Sequence, residues 1–530
     1  MLTNDSKREK SLGEHIVRGS FWMIAARWAI RLTGVVSTII LARLLNPSDF
    51  GVVAMAMIVV GMLEVLNQTG QKLAIIRHPA PVREDYDTCW TISILIGLGI
   101  ALVIVILAPV SQFYFHNPTV VPVMRFLALR SAIGGFENVG ALDFRRNFEF
   151  DRLFRYNLYP KLISFVVTIS LAIALRNYWA LVGGMISFAI ATIVLSYAMH
   201  PYRPRLSLAK IREVWSFSFW TLIRTIGWYL NFQVDLFAIG GVAGAAAMGR
   251  YSVATDVASS PSRELNEPMV AVLYPVMAKA QHDLPRLREL YLQVLYWSVI
   301  ICAATGIGVA LIAHDMVHVL LGPKWTGLEP LVVWLALSAG LLGLASGAYT
   351  TFDALGIPQL GARMQWLRLL LLCIAVTPVA VITRDLQLVA ATRFFVTLIF
   401  LPTLFFAVGR TIDVSPADYI RAFWRPFTAA VVMSSGVWAI NFIVHIGGVW
   451  RLGLDVTAGA GLFVTSLLLL WTLSGQPESP ERDILNVARA QLRAVSRLAQ
   501  GLRYPPIKLA RPGIDPDGIT SSVGSSEENR

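Results

Sequence analysis

Apolar residues run along this chain in about fourteen stretches, each roughly 18 to 30 residues long and separated from the next by short polar segments. They begin near Phe21, Val52, Trp90, Val120, Leu158, Trp179, Val214, Met248, Tyr291, Leu328, Met364, Leu388, Phe427 and Leu452. At about 1.5 Å per residue, each is long enough to cross a ~30 Å hydrocarbon layer as a helix. The pattern therefore predicts an all-α, polytopic membrane protein of about fourteen transmembrane helices. No intervening segment is long enough to fold as a domain of its own.

The polar segments alternate in charge. One set is arginine-rich, with Lys72, Arg77 and Arg83, then Arg145, Arg146, Arg152, Arg155 and Lys161, then Arg203, Arg205, Lys210 and Arg212, then Lys279, Arg286 and Arg288. The other set carries about one cation per loop: Arg43, Arg176, Arg250, Lys324, Arg384 and Arg451. Cations concentrate on the cytoplasmic side of a membrane, so the arginine-rich loops and both termini are expected to be cytoplasmic.

A faint internal repeat divides the spans. Ser20-Phe21-Trp22 reappears as Ser218-Phe219-Trp220, and the same offset carries Gly51 onto Gly249. The expected organisation is a cytoplasmic N-terminus (1–20), two pseudo-symmetric six-helix lobes (21–213 and 214–409), two further helices (424–473) and a cytoplasmic tail (476–530). In the tail, Leu485, Ala488, Leu492, Val495, Ala499 and Leu502 fall at helical spacing among arginines, which predicts a basic amphipathic helix followed by a disordered end.

Composition agrees with this reading: 55% of the 530 residues are hydrophobic and 15% charged, with a mean hydropathy of +0.61, whereas about a quarter of a soluble domain is charged. The net charge of +12 lies in loops and tail, where it faces anionic lipid headgroups, so nucleic acid is not the expected partner. Cys89, Cys302 and Cys373 all fall within spans and imply neither a disulfide framework nor a thiolate metal site. The basic N-terminus, with Lys7, Arg8, Lys10 and Arg18, precedes an apolar run too long for a cleaved signal, so the first helix is expected in the mature chain.

A charge at mid-bilayer costs about 2.5 to 3.5 kcal/mol on the milder scale, so several of them imply a hydrated interior. Arg27 and Arg31 sit one turn apart in span one, and Arg130 and Glu137 share a face in span four. In span seven Arg224, Trp228, Asn231 and Asp235 form one polar line; Asp256, Ser260, Arg263 and Glu267 repeat its spacing in span eight, which Pro261, Pro268 and Pro275 bend. Arg27, Arg31, Arg130 and Arg224 are the expected substrate-binding cations, since guanidinium forks match phosphate oxygens. Asp235, Asp256, Arg263 and Glu267 are the expected coupling or gating residues. The chain carries no Walker A pattern, zinc-hydrolase motif or nucleophile elbow, so no enzyme and no cofactor is expected. His314 and His318, beside Asp315 at an arginine-poor rim, read as interfacial polar residues rather than metal ligands.

Three passages carry a family resemblance. LARLLNPSDFGVVAMAM from Leu41 to Met57, FRRNFEFDRLF from Phe144 to Phe154 and NYWALVGG from Asn177 to Gly184 resemble the Wzx/WzxC-like polysaccharide flippases of the multidrug/oligosaccharidyl-lipid/polysaccharide (MOP) superfamily. That resemblance implies a MOP/MATE-like fold in a bacterial inner membrane. It also implies a cargo, an oligosaccharide on an undecaprenyl pyrophosphate carrier, flipped from the cytoplasmic to the periplasmic leaflet for exopolysaccharide or lipopolysaccharide biosynthesis. Membrane lipids, a polysaccharide polymerase and the export machinery are the partners it implies. A peptidoglycan-precursor flippase or a drug/cation antiporter of the same fold is the alternative, and a membrane polymerase or ligase a second one.

Overall fold

The computed structural model describes residues 28–65, 75, 81–147, 149–211, 219–444 and 447–475, without side chains at 219–222, 224 and 271. The expected N-terminal segment, the boundary at residue 213, Arg27, and the amphipathic and disordered tail lie outside the described residues.

Fourteen long helices follow one another among the described residues, and no strand occurs there. They are α1 (residues 28–44), α2 (Pro47–Glu64), α3 (Arg83–Phe115), α4 (Val120–Gly134), α5 (Phe150–Leu175), α6 (Trp179–Met199), α7 (Phe219–Val242), α8 (Gly244–Lys279), α9 (Leu284–Leu311), α10 (Glu329–Ala354), α11 (Pro358–Thr383), α12 (Leu386–Ile412), α13 (Pro416–Ile443) and α14 (Val449–Leu473). Ten are long and apolar enough to cross a membrane. Of the others, α8 is charged along its length and contains three prolines, and α4 is a 15-residue helix.

Local chemistry sets the helix ends. The Asn46-Pro47-Ser48-Asp49 turn is a helix start: Pro47 takes the first-turn position that needs no N–H, and Asn46 N–H donates to Asp49 Oδ2 at 2.9 Å. Ser415, Pro416 and Asp418 start α13 in the same way. At the arginine-poor end α5 and α11 finish on Arg176 and Arg384 in the left-handed conformation (φ 51° and 52°), where a cation meets the negative end of the helix dipole. Two of the six cations of those loops, Arg176 and Arg384, are thus placed as helix caps.

Large apolar side chains cover the outside, among them Leu102, Ile106, Phe113, Ile382, Phe406, Trp438 and Phe442, which in water would be an aggregation surface and in lipid is the expected exterior. Among the first six helices, α1–α6, α3 packs on α4, α4 on α2 and α6, and α5 on α6; among the next six, α7–α12, α10 packs on α8, α9 and α12, and α11 on α7 and α12. The hairpin α13–α14 docks on α9.

The groups meet closely at the arginine-poor end. A Cβ on Gly51 of α2 would lie 1.7 Å from the Ala245 carbonyl oxygen of α8, and one on Gly249 of α8 would lie 1.8 Å from the Pro47 carbonyl oxygen of α2. The two glycines matched by the internal repeat therefore form one backbone-to-backbone crossing, reciprocal across the junction. Beside it, Trp325, fully buried after α9, donates Nε1–H to Ala42 O at 2.8 Å and meets the Phe50 ring edge-on. Arg43 donates to Val319 O at 2.6 Å, and Lys324 to Leu44 O at 3.3 Å. Tyr114 of α3 donates to Phe237 O of α7 at 2.8 Å.

Candidate functional site

Charged side chains between the two helix groups lie toward the arginine-rich end. On α8, Asp256, Arg263 and Glu267 are exposed and Ser260 is half-buried, one stripe at the spacing read from the sequence. An exposed charged stripe on a membrane helix has to face water. It faces the first helix group: Glu264 pairs with Arg31 of α1 at 3.4 Å, both about a third exposed. The charged neighbours of Asp256 are Arg263 and Arg31. Lys161 of α5, read from the sequence as a loop residue, lies eleven positions into its helix and has Arg31 as its charged neighbour. Arg31 is thus common to α1, α5 and α8.

A second pair lines the same region. Arg130 of α4 meets Glu64 of α2 at 3.5 Å, Ser131 donates to the same carboxylate at 3.1 Å, and Glu64 neighbours Tyr229 of α7. Tyr229 donates to Ile58 O at 2.9 Å, joining α7 to the middle of α2. Glu137, expected on the face of Arg130, lies past the end of α4 and accepts instead from the Tyr156 hydroxyl. Arg31 and Arg130 are therefore matched with carboxylates, so this region is charge-paired rather than simply cationic.

The polar line expected along α7 does not share one environment. Trp228 is half exposed, whereas Asn231 and Asp235 are fully buried within the second helix group, and the Arg224 side chain is not among those described. Asp235 accepts from Arg393 of α12 at 2.6 Å and from the Tyr251 hydroxyl of α8. One helix layer away Arg368 of α11, 1% exposed, donates to Asn231 Oδ1 at 3.2 Å and Thr397 Oγ1 at 3.3 Å, while its Nε has no hydrogen-bond partner. Asn231 in turn donates to Gln365 O at 2.9 Å. Arg393 thus pairs with Asp235 while Arg368 is held by Asn231 and Thr397, which ties α7, α8, α11 and α12 together.

Sequence reasoning missed Arg368 and Arg393. The apolar runs begin at Met364 and Leu388, which leaves these arginines about one turn inside an interface, where cations are common. The helices begin at Pro358 and Leu386, and that places them deeper. Cys89 and Cys302 are buried, and Cys373 faces outward on α11. The expected sites Arg31, Asp256, Arg263 and Glu267 fall in one region, Arg130 beside it, and Asp235 in the buried cluster.

The family described as "polysaccharide biosynthesis protein" matches residues 40–330. The succinoglycan biosynthesis transport protein ExoT of Rhizobium meliloti is 25% identical over 490 residues, covering 90% of this chain and 96% of that protein. The lipopolysaccharide biosynthesis protein WzxC of Escherichia coli is 25% identical over 340 residues, covering 63% of this chain and 68% of that one. Among solved structures, the lipid II flippase MurJ in an inward closed conformation superposes with a TM-score of 0.68 at 11% identity, over 86% of this chain and 99% of that one. An inward-facing multidrug-resistance MATE transporter of the MOP superfamily superposes with a TM-score of 0.55 at 15% identity, over 73% and 96%. The arrangement is therefore the MOP-like polytopic helical fold.

Proposed function

The chain belongs to the polysaccharide biosynthesis protein family, and from that premise we propose that it flips an undecaprenyl-pyrophosphate-linked oligosaccharide from the cytoplasmic to the periplasmic leaflet of a bacterial inner membrane, for exopolysaccharide or lipopolysaccharide synthesis. Relatives named for lipopolysaccharide biosynthesis and for succinoglycan biosynthesis transport support the cargo class. The observation that carries the mechanism is the exposed charged stripe of α8 facing Arg31 at a junction closed toward the arginine-poor end. With both termini and the arginine-rich loops in the cytoplasm, this state is closed to the periplasm and receives cargo from the cytoplasmic leaflet.

The pyrophosphate and sugars occupy the hydrated region between the helix groups, while the polyprenyl tail stays in lipid. Pyrophosphate competes with Glu264 for Arg31 and with Glu64 for Arg130. A part-exposed ion pair is worth only about 0 to 1 kcal/mol, so a dianionic group with several acceptor oxygens displaces it readily. Because the Arg31–Glu264 pair joins α1 to α8, cargo binding removes one contact between the two groups and leaves Asp256, Arg263 and Glu267 to respond. Those three are the coupling residues of this account, and Arg27 and Arg224 complete its cation set. The reaction is transport rather than catalysis; the polymerase and export machinery act on the delivered product.

Arg31→Ala, Arg27→Ala and Arg224→Ala are each expected to abolish polymer export while the protein remains inserted, with partial activity for lysine because the bidentate fork is lost. Glu264→Gln is expected to retain export, since it frees Arg31 for the cargo. Polymer assays beside immunoblots of membranes check these outcomes, and normal export from all three alanine variants would refute the cation assignment.

A further inference from the structure

The segment between α9 and α10 folds as a helical turn (Ala313–Met316), a π-turn (Val317–Leu321) and a short 3-10 turn (Pro323–Trp325). It brings three metal-ligating side chains together. His314 and His318 stack one turn apart with ring centroids 4.5 Å from each other. His318 Nε2 lies 3.1 Å from Glu329 Oε1, the first residue of α10, and one ligand atom from each of the three falls within 4.8 Å of the others. Both imidazoles reach solvent, which leaves an entry path. Asp315 is occupied elsewhere, 3.2 Å from Arg451 of α14. The sequence pairs the two histidines; the fold adds the carboxylate.

We propose that His314, His318 and Glu329 form a binding site for a divalent transition-metal ion of the zinc type, and that its occupancy stiffens the latch closing the arginine-poor end. Two imidazole nitrogens and one carboxylate oxygen are a donor set suited to zinc, which bonds nitrogen and oxygen at about 2.0 to 2.2 Å and keeps a fourth position for water. Ligand atoms of a tetrahedral site lie about 3.3 Å apart by that geometry, so the separations here close by rotamer adjustment. Alkaline-earth ions prefer oxygen and should bind poorly.

The link to the latch is covalent and short. Val319, next to His318, accepts from Arg43, and Trp325, four residues before Glu329, donates to Ala42. A metal joining His318 to Glu329 closes the loop bearing both contacts, so the loop loses freedom and its grip on α1 is harder to release. This inference does not depend on which cargo is carried.

The test uses the full-length chain in nanodiscs with any affinity tag removed, titrated with zinc chloride by calorimetry, and hydrogen exchange is followed with and without zinc. One saturable equivalent is expected, with a visible absorption band of a four-coordinate site when cobalt(II) replaces zinc. His314→Ala together with His318→Ala should weaken binding by at least ~10-fold, since even outer-shell changes at metal sites cost that much. His318→Asn and Glu329→Gln separately should each weaken it too, and zinc should slow exchange at 317–325 and 42–45. Absence of saturable binding, or binding that survives the double substitution, overturns the site. Binding with unchanged exchange at 42–45 overturns its role in the latch.

Discussion

Arg393 and Arg368 sit about 10 and 15 Å along their helices, counting from the first residue of each. At such depth the aqueous alternative is gone, and Asp235 is the carboxylate that offsets Arg393. Removing one member strands the other: Arg393→Leu should cost about 3 to 5 kcal/mol, whereas Asp235→Asn together with Arg393→Met should cost markedly less. Thermal unfolding in detergent separates the two, and equal losses would show that Asp235 does not depend on this pair. The cluster was only half legible beforehand, because Asn231 and Asp235 stand out in α7 while single arginines near the start of an apolar run look interfacial. At the arginine-rich surface, His200 accepts from Tyr202 N–H through Nδ1 and points Nε2 toward Asp143. Burial holds its imidazolium below the ordinary histidine value, outweighing Asp143. The folded state thus favours neutral imidazole, so this contribution to stability is fully present above the unfolded pKa of about 6.5 and is lost as pH falls through the folded value. His200→Gln should flatten the fall in melting temperature between pH 7.5 and pH 5; an unchanged slope would remove His200 as its cause.

At the scale of helices, the crossing of α2 and α8 decides how near the two groups can come. Gly51 and Gly249 each meet a carbonyl of the other helix, and backbone atoms cannot move aside as a flexible side chain would. Gly51→Ala or Gly249→Ala should therefore wedge the crossing by more than the ~1 to 3 kcal/mol of ordinary overpacking and shift the protein away from this closed state. Cross-linking of cysteines introduced at exposed Ser48 and Ala246 should slow in either variant, and an unchanged rate would mean the helices do not need the close approach. The pairing of these glycines is visible as a repeat at a fixed offset. That they touch is not, because a repeat gives correspondence between halves and no distance. Helices that open ahead of their apolar runs, as α5 and α11 do, carry Lys161 and Arg368 deeper than the runs alone suggest.

At the scale of the whole molecule, alternating loop charge and about fourteen apolar runs give an expected topology, while the division of labour between the two ends emerges only in three dimensions. The arginine-poor end is held by backbone crossing, Trp325 and carbonyl contacts; the region toward the other end carries part-exposed, exchangeable ion pairs. Strong apolar closure on one side and weak ionic contacts on the other suit a protein that takes an anionic headgroup from the arginine-rich side. Leaflet-resolved lipid analysis of a strain lacking the protein asks whether this chain carries a lipid-linked oligosaccharide across the membrane: the lipid-linked oligosaccharide should accumulate in the cytoplasmic leaflet with surface polymer lost, and its accumulation in the periplasmic leaflet would mean that flipping proceeds without this protein.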